Sequence, residues 1–135
     1  MSEVANHKTV VEAAGLPRPK GVWSNVVTAQ PGRLVFIAGL LAKDEKGEMV
    51  GVGDMSAQTE QICLNLQKAV RSAGGELKDI VRVDVYITDM SKFDEIHAVR
   101  RRYFPSNPPA STMVEVSGFT TEGALIEINA IAVLP

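Results

Sequence analysis

Two carboxylates stand out as groups that could move a proton or steer a water. Glu115 lies in PPASTMVEV, Pro108 to Val116, and Glu127 near the start of LIEINAIAV, Leu125 to Val133, which begins nine residues after the first segment ends. In the second segment Ile126, Ile128, Ala130 and Ala132 make one strand face wholly apolar. Leu125, Glu127, Asn129, Ile131 and Val133 make the other face apolar with two polar insertions. A carboxylate on such a face tends toward a raised pKa and is suited to proton transfer. It can equally be a satisfied structural acid at a subunit contact, because buried polar groups are usually hydrogen-bonded. Glu115 faces the same way as Met113 and is expected to pair with a cross-strand cation.

Ser111 and Thr112 could bind an anion, place a water or act as nucleophiles. No nucleophile elbow or His base accompanies them, so turn capping is their default role. His7 and His97 have no ligand-like spacing to other residues, and no metal site is expected. Gly51-Val52-Gly53 lacks the third glycine and the lysine-serine ending of a phosphate loop, which leaves a flexible lead into a helix cap. Arg100, Arg101 and Arg102 point about 100° apart around a helix, so they read as a solvated face. Trp23, beside Ser24 and Asn25, could stack on a ligand or cover the core, with the balance toward the core.

These groups need a scaffold, and the hydrophobic periodicity supplies one. Asn25 to Thr28 and Leu34 to Ala38 read as two strands of a hairpin around Pro31-Gly32, the first strand beginning near Trp23. Asp54 to Ala73 places Met55, Thr59, Ile62, Leu66, Ala69, Val70 and Ala73 at helical spacing, with Asp54 or Ser56 as cap and Gly74-Gly75 at the end. Val81 to Thr88 alternates as a strand. A second helix follows, with Ser91 as cap, an apolar stripe of Phe93, Ile96, Val99, Tyr103 and Phe104, and Pro105 as stop.

The order β-β-α-β-α-β-β is an α+β domain with two helices on one face of the sheet. Since the last strand looks covered on both faces, a second copy of the chain is the natural cover for the other. One domain over residues 1–135 is expected, with 1–22, punctuated by Pro17, Pro19 and Gly21, as an N-terminal arm.

Composition narrows the function classes. The 14 basic and 16 acidic residues give a net charge of -2, without the broad basic face of a general nucleic-acid binder. Cys63 is alone, so no disulfide closes within the chain. No run approaches the ~20 apolar residues of a membrane span, and the first 15 residues lack a signal-peptide core. A cytoplasmic protein is expected, with no membrane partner.

Taken in order, GVW at 21–23, LVFIAG at 34–39, SAQTEQICLNLQKAV at 56–70, VRVDVYITDM at 81–90, FPSNPPAS at 104–111, VEV at 114–116 and IEINAIAV at 126–133 carry a resemblance. The chain resembles the RidA/YjgF family along nearly all its length. The resemblance implies a chorismate mutase-like fold, a homotrimer with a ligand cleft at each subunit interface, and hydrolysis of reactive enamines or imines to a carbonyl compound and ammonia without metal or organic cofactor. It also implies that a glutamate in the position of Glu127 orients or activates water. An arginine just after Pro-Pro-Ala would clamp the substrate carboxylate.

Here that place is taken by Ser111, with Met113 two residues on where the family often has cysteine. Trp23, Ala38 and Leu40 stand where the family has tyrosine, serine and glutamine, and Gly39 is retained. The cleft so implied is lined by Trp23, Ala38, Gly39, Leu40, Ser111, Thr112 and Met113, more apolar and less cationic than is usual. Losing one charge-assisted contact typically costs ~1.5–3 kcal/mol. A bulkier or neutral imine or enamine, or an aromatic-pathway intermediate, is therefore expected in place of a simple α-imino acid. Arg18 and Arg100 are the cations that could restore the charge from another direction. The alternative is a trimer that binds a small metabolite without turnover. An RNA or protein partner engaging Arg100 to Arg102 is disfavoured.

Overall fold

In the computed structural model, which describes residues 7–135, three strands precede the first helix. They are β1 (Lys8–Val11), β2 (Val26–Ala29) and β3 (Arg33–Leu40). The hairpin expected around Pro31-Gly32 does not form. β2 instead pairs antiparallel with β1, Val26 opposite Val11 and Ala29 opposite Lys8, in a two-stranded sheet of its own. β3 runs antiparallel to β6 (Ile126–Leu134), with Phe36 opposite Ile131 and Ile37 opposite Ala130. The Pro-Gly step is a change of sheet, and a Cβ on Gly32 would collide with the Leu134 carbonyl, so only glycine lets β3 start this close to the end of β6.

The lead-in segment consequently holds a strand that its four-residue length made invisible to periodicity. It is also stitched to the body. His7 Nε2 lies 2.8 Å from the Val133 carbonyl and 3.1 Å from Asp79 Oδ1, and Lys8 Nζ donates to the Ile80 and Asn107 carbonyls at 2.8 and 2.9 Å. Burial pushes the Lys8 ammonium down to about 8, with Asp79 opposing the shift.

The main sheet has the order β3-β6-β4-β5, with β4 at Ile80–Ile87 and β5 at Ala110–Glu115. β3, β6 and β4 are antiparallel neighbours, while β5 is parallel to β4. That last pairing needs a crossover, which the second helix provides. Helix α1 (Met55–Ser72) is capped by Asp54, whose carboxylate accepts from the Ala57 amide at 3.0 Å, and Gly74 beyond its end takes φ 93°.

Helix α2 (Phe93–Tyr103) follows a 3-10 turn, Met90–Lys92. The residue capping that turn is Asp89 rather than Ser91: its carboxylate accepts from both the Ser91 amide, 2.9 Å, and the Ser91 hydroxyl, 2.6 Å. Carboxylate charge outcompetes a hydroxyl for orphan amides at a helix start.

Both helices lie on one face of the main sheet. Ile62, Leu66 and Val70 of α1 and Ile96 of α2 pack against Val83, Val85 and Ile87 of β4 and Ile126, Ile128, Ala130 and Ala132 of β6. Cys63 is enclosed in the same layer, and burial pushes its thiol up to about 12. The opposite face has no helix over it. There Phe36 is 72% and Leu34 58% exposed, an apolar surface with no cover within the protomer. No helix among the described residues is long and apolar enough to cross a membrane.

Candidate functional site

Strand register decides which candidate side chains meet. Tyr86 of β4 stands between Glu127 of β6 and Val114 of β5, and Asp84 between Asn129 and Thr112, all on the helix-free face. Val83 stands between Ala130 and Ser111, and Val85 between Ile128 and Met113, on the face covered by the helices. Glu127 and Thr112 therefore leave one side of the sheet, Ser111 and Met113 the other. Within a single protomer the expected cleft residues form two groups, not one.

The first group centres on Glu127. β3 bulges between Ile37, opposite Ala130, and Leu40, opposite Ile128, so both of these apolar residues turn toward the core while Ala38 and Gly39 share the space between. Gly39 comes to rest under the Glu127 carboxylate. A Cβ at position 39 would stand 2.5 Å from Glu127 Oε2 and 2.7 Å from its Cδ, so glycine is what leaves room for the acid. Among the described residues the half-buried Glu127 carboxylate accepts no hydrogen bond.

The polar side chains farther along this face bond one another. Arg82 donates from Nε and Nη2 to Asp84 Oδ1, at 3.1 and 2.7 Å, and from Nη2 to Thr112 Oγ1 at 2.7 Å. Asn129 Nδ2 donates to Asp84 Oδ2 at 3.1 Å. Thr112 is thus an acceptor in a strand ladder, not a turn cap.

The second group surrounds a cavity of about 210 Å³ lined by Trp23, Phe93, His97, Arg100, Ser111 and Met113. Arg100 corrects the expectation of a solvated arginine face, being 2% exposed, with Nη2 donating to the Val22 carbonyl at 3.0 Å and to Ser111 Oγ at 3.1 Å. Burial holds its guanidinium down to about 10. Only Arg101 and Arg102 face outward, and Arg102 pairs with Glu60 of α1.

Arg18 lies at the surface, 3.6 Å from Glu12, so the cation that reaches Ser111 is Arg100. His97, expected to be an ordinary polar residue, is enclosed. Its ring stacks on Phe93 with centroids 3.9 Å apart and meets Trp23 edge-on at 6.2 Å. Burial first, then the charges of Arg100 and Arg101, push its imidazole down to about 4. The Phe93 carbonyl and Asp94 oppose this only in part, and neither ring nitrogen makes a hydrogen bond of good geometry.

Glu115 belongs to neither group. Its Oε1 accepts from the Met90 amide at 2.8 Å and caps the 3-10 turn instead of pairing with a cross-strand cation, because β4 and β5 run parallel and end together beside that turn. His97 is the site residue that residue types alone did not single out, and Arg100 was one of two candidate cations between which they did not choose. Their signal was positional: Phe93, His97, Arg100 and Phe104 follow at i, i+4, i+7 and i+11 along the buried stripe of α2.

The Endoribonuclease L-PSP family model matches residues 12–134. A RutC family protein of Pyrococcus horikoshii is 37% identical over 93% of this chain and 97% of its own length. The 3-aminoacrylate deaminase RutC of Acinetobacter baylyi is 32% identical with the same coverage. Among solved structures, the Rid-family protein YyfB of Yersinia pestis superposes with a TM-score of 0.88 at 31% identity, covering 95% of this chain and 99% of that one. The α+β arrangement of two helices on a mixed sheet is the YjgF/chorismate mutase-like fold. By sequence and by fold, the chain belongs to the RidA/YjgF/L-PSP family, whose members include a deaminase of the enamine 3-aminoacrylate.

Proposed function

We propose that this protein hydrolyses the carbon–nitrogen bond of a reactive enamine or imine, releasing ammonia, at clefts formed between subunits of a homotrimer. The observation that carries the reading is Glu127. It is a half-buried carboxylate given room by Gly39 and, among the described residues, left without a hydrogen-bond partner, while Arg82, Asp84, Thr112 and Asn129 on the same sheet face bond one another. An acceptor held in this way is free to take a proton from water.

For an imine, water adds to the carbon of C=N as Glu127 accepts its proton and delivers it to the nitrogen, giving a carbinolamine. Collapse of that intermediate to C=O moves the hydroxyl proton through Glu127 to the leaving nitrogen, which departs as ammonia. An enamine first takes a proton at carbon to become the imine. Imine and water enter, carbonyl compound and ammonia leave, and no redox partner is required.

The division of the candidate residues between two sheet faces supports a shared site. Glu127 and Gly39 of one subunit can face Trp23, Ser111 and Met113 only if these come from a neighbour. The exposed Leu34 and Phe36 give such a neighbour an apolar surface to bury. The substrate is expected to be other than a simple α-imino acid, because Ser111 lacks the fork and charge of an arginine.

The test is ammonia release from enamines and imines generated in situ, across aromatic, neutral and α-imino acid compounds. Turnover should exceed the uncatalysed rate for at least one class and fall by about 10²- to 10⁴-fold in Glu127→Gln. Rates equal to background, with no difference between the protein and the Glu127→Gln variant, would sink the reading.

A further inference from the structure

Beside the open acid, β4 places a phenol. Tyr86 is the register partner of Glu127 on β6, and both side chains are half-buried on the helix-free face. Directly opposed residues of an antiparallel pair hold their Cβ atoms about 4.5–5.5 Å apart and project to the same side. On the other flank of Tyr86 stands Val114 of β5, 41% exposed, which offers the phenol no polar partner. Neither the Tyr86 hydroxyl nor the Glu127 carboxylate takes part in a hydrogen bond among the described residues, whereas Arg82, Asp84, Thr112 and Asn129 farther along the face bond one another.

The two open groups are of opposite kind. An ionised carboxylate only accepts hydrogen bonds, while a phenol can donate one. Hydrolysis of C=N asks for both at once: an acceptor for the proton of the incoming water, and a donor for the nitrogen on which electron density builds as the water adds. A tyrosine side chain is longer than that of glutamate, so its hydroxyl can reach a substrate nitrogen whose neighbouring carbon faces the water held by Glu127.

We propose that Tyr86 is a second catalytic residue, its hydroxyl donating to the substrate nitrogen while Glu127 acts on the water. The inference rests on the deaminase reading and adds to it the group that handles the leaving nitrogen. In the addition step the C–O bond forms as a water O–H bond breaks, and that proton passes to Glu127. The π pair of C=N moves to nitrogen, which takes the phenolic proton, and Glu127 then returns its own proton to the phenolate oxygen. One proton has moved from water to nitrogen, and both side chains end as they began. In the collapse step the carbinolamine hydroxyl gives its proton to Glu127, C=O forms as C–N breaks, and the departing nitrogen takes the phenolic proton to leave as ammonia. Glu127 again restores the phenol.

The test compares ammonia release by the unaltered protein, Tyr86→Phe and Val114→Ala on the same panel of enamines and imines, with melting temperature measured alongside. Tyr86→Phe keeps the ring and removes only the hydroxyl. It is expected to lower kcat by about 10²- to 10³-fold, the range for loss of one preorganised donor, with KM and melting temperature little changed. Val114→Ala loosens the packing on the other flank of the ring and leaves the hydroxyl in place, so its kcat should stay close to that of the unaltered protein. An unchanged kcat in Tyr86→Phe, or equal losses in Tyr86→Phe and Val114→Ala, would overturn the role of Tyr86 and leave the deaminase standing. Release no faster than background by the unaltered protein would remove both.

Discussion

The two faces of the main sheet treat charge in opposite ways. On the helix-free face, Arg82, Asp84, Thr112 and Asn129 bond one another across three strands, while Glu127 accepts no hydrogen bond among the described residues. On the helix-covered face almost everything is apolar, yet Arg100 and His97 sit among those side chains with no ionic partner. A paired network stiffens a surface and holds one acid ready beside it. Unpaired groups in a low-dielectric layer instead reduce stability until something binds. The difference separates an open acid beside a bonded network from an unpaired cation within an apolar layer.

The largest effect should come from closing the space beneath the open acid. Gly39→Val puts branched carbon where Glu127 Oε2 now lies, and the displaced carboxylate should cost about 10²-fold or more in ammonia release, as an error of about 1 Å can. The melting temperature, measured alongside, should move far less than the rate. Equal losses in both would mean that Gly39 serves the fold alone and would erase the contrast between the faces.

Protonation probes the covered face. His97 titrates near 4 in the folded protein and near 6.5 when unfolded. Between those values the unfolded chain binds a proton that the folded chain refuses, so stability must fall as pH drops from 6.5 toward 4. The loss is at most about 3 kcal/mol. Denaturant unfolding of the protein and of His97→Leu at pH 7 and pH 4.5 checks this: the variant should lose less stability on acidification. Parallel losses in both would show that the enclosed imidazole does not set the acid limit.

A smaller effect distinguishes the paired from the unpaired arginine. Asp84→Ala strands Arg82 and Asn129 and should cost about 1–3 kcal/mol. Arg100→Met, which removes a lone buried charge in favour of an apolar chain of similar length, should be neutral or slightly stabilising. Urea unfolding of the two variants side by side measures the contrast. A loss in Arg100→Met as large as that in Asp84→Ala would mean that its two hydrogen bonds outweigh its desolvation.

Much of the scaffold was legible in the chain. The helix at Met55–Ser72, its Asp54 cap, the alternation at Ile80–Ile87 and the two-faced final strand follow from periods of 3.6 and 2 and from turn chemistry, which act within a few residues. β1 escaped because four residues carry no measurable period, and the hairpin failed because strand pairing is settled by distant partners competing for the same edge.

The site divides in the same way. That Glu127 interrupts an apolar face is a property of local alternation, whereas the expectation of an arginine where Ser111 stands came from the family resemblance. That Glu127 and Ser111 leave opposite faces depends on the register of three strands drawn from across the chain. That Arg100 rather than Arg18 reaches Ser111 depends on how α2 rolls against the sheet, and the rest of its buried stripe makes that choice. Local spacing determined which chemistry the chain can carry, because side-chain direction repeats with the backbone. Only tertiary packing decided which groups share a cavity and which charge remains unpaired, because burial and counter-charge belong to neighbours far apart in sequence.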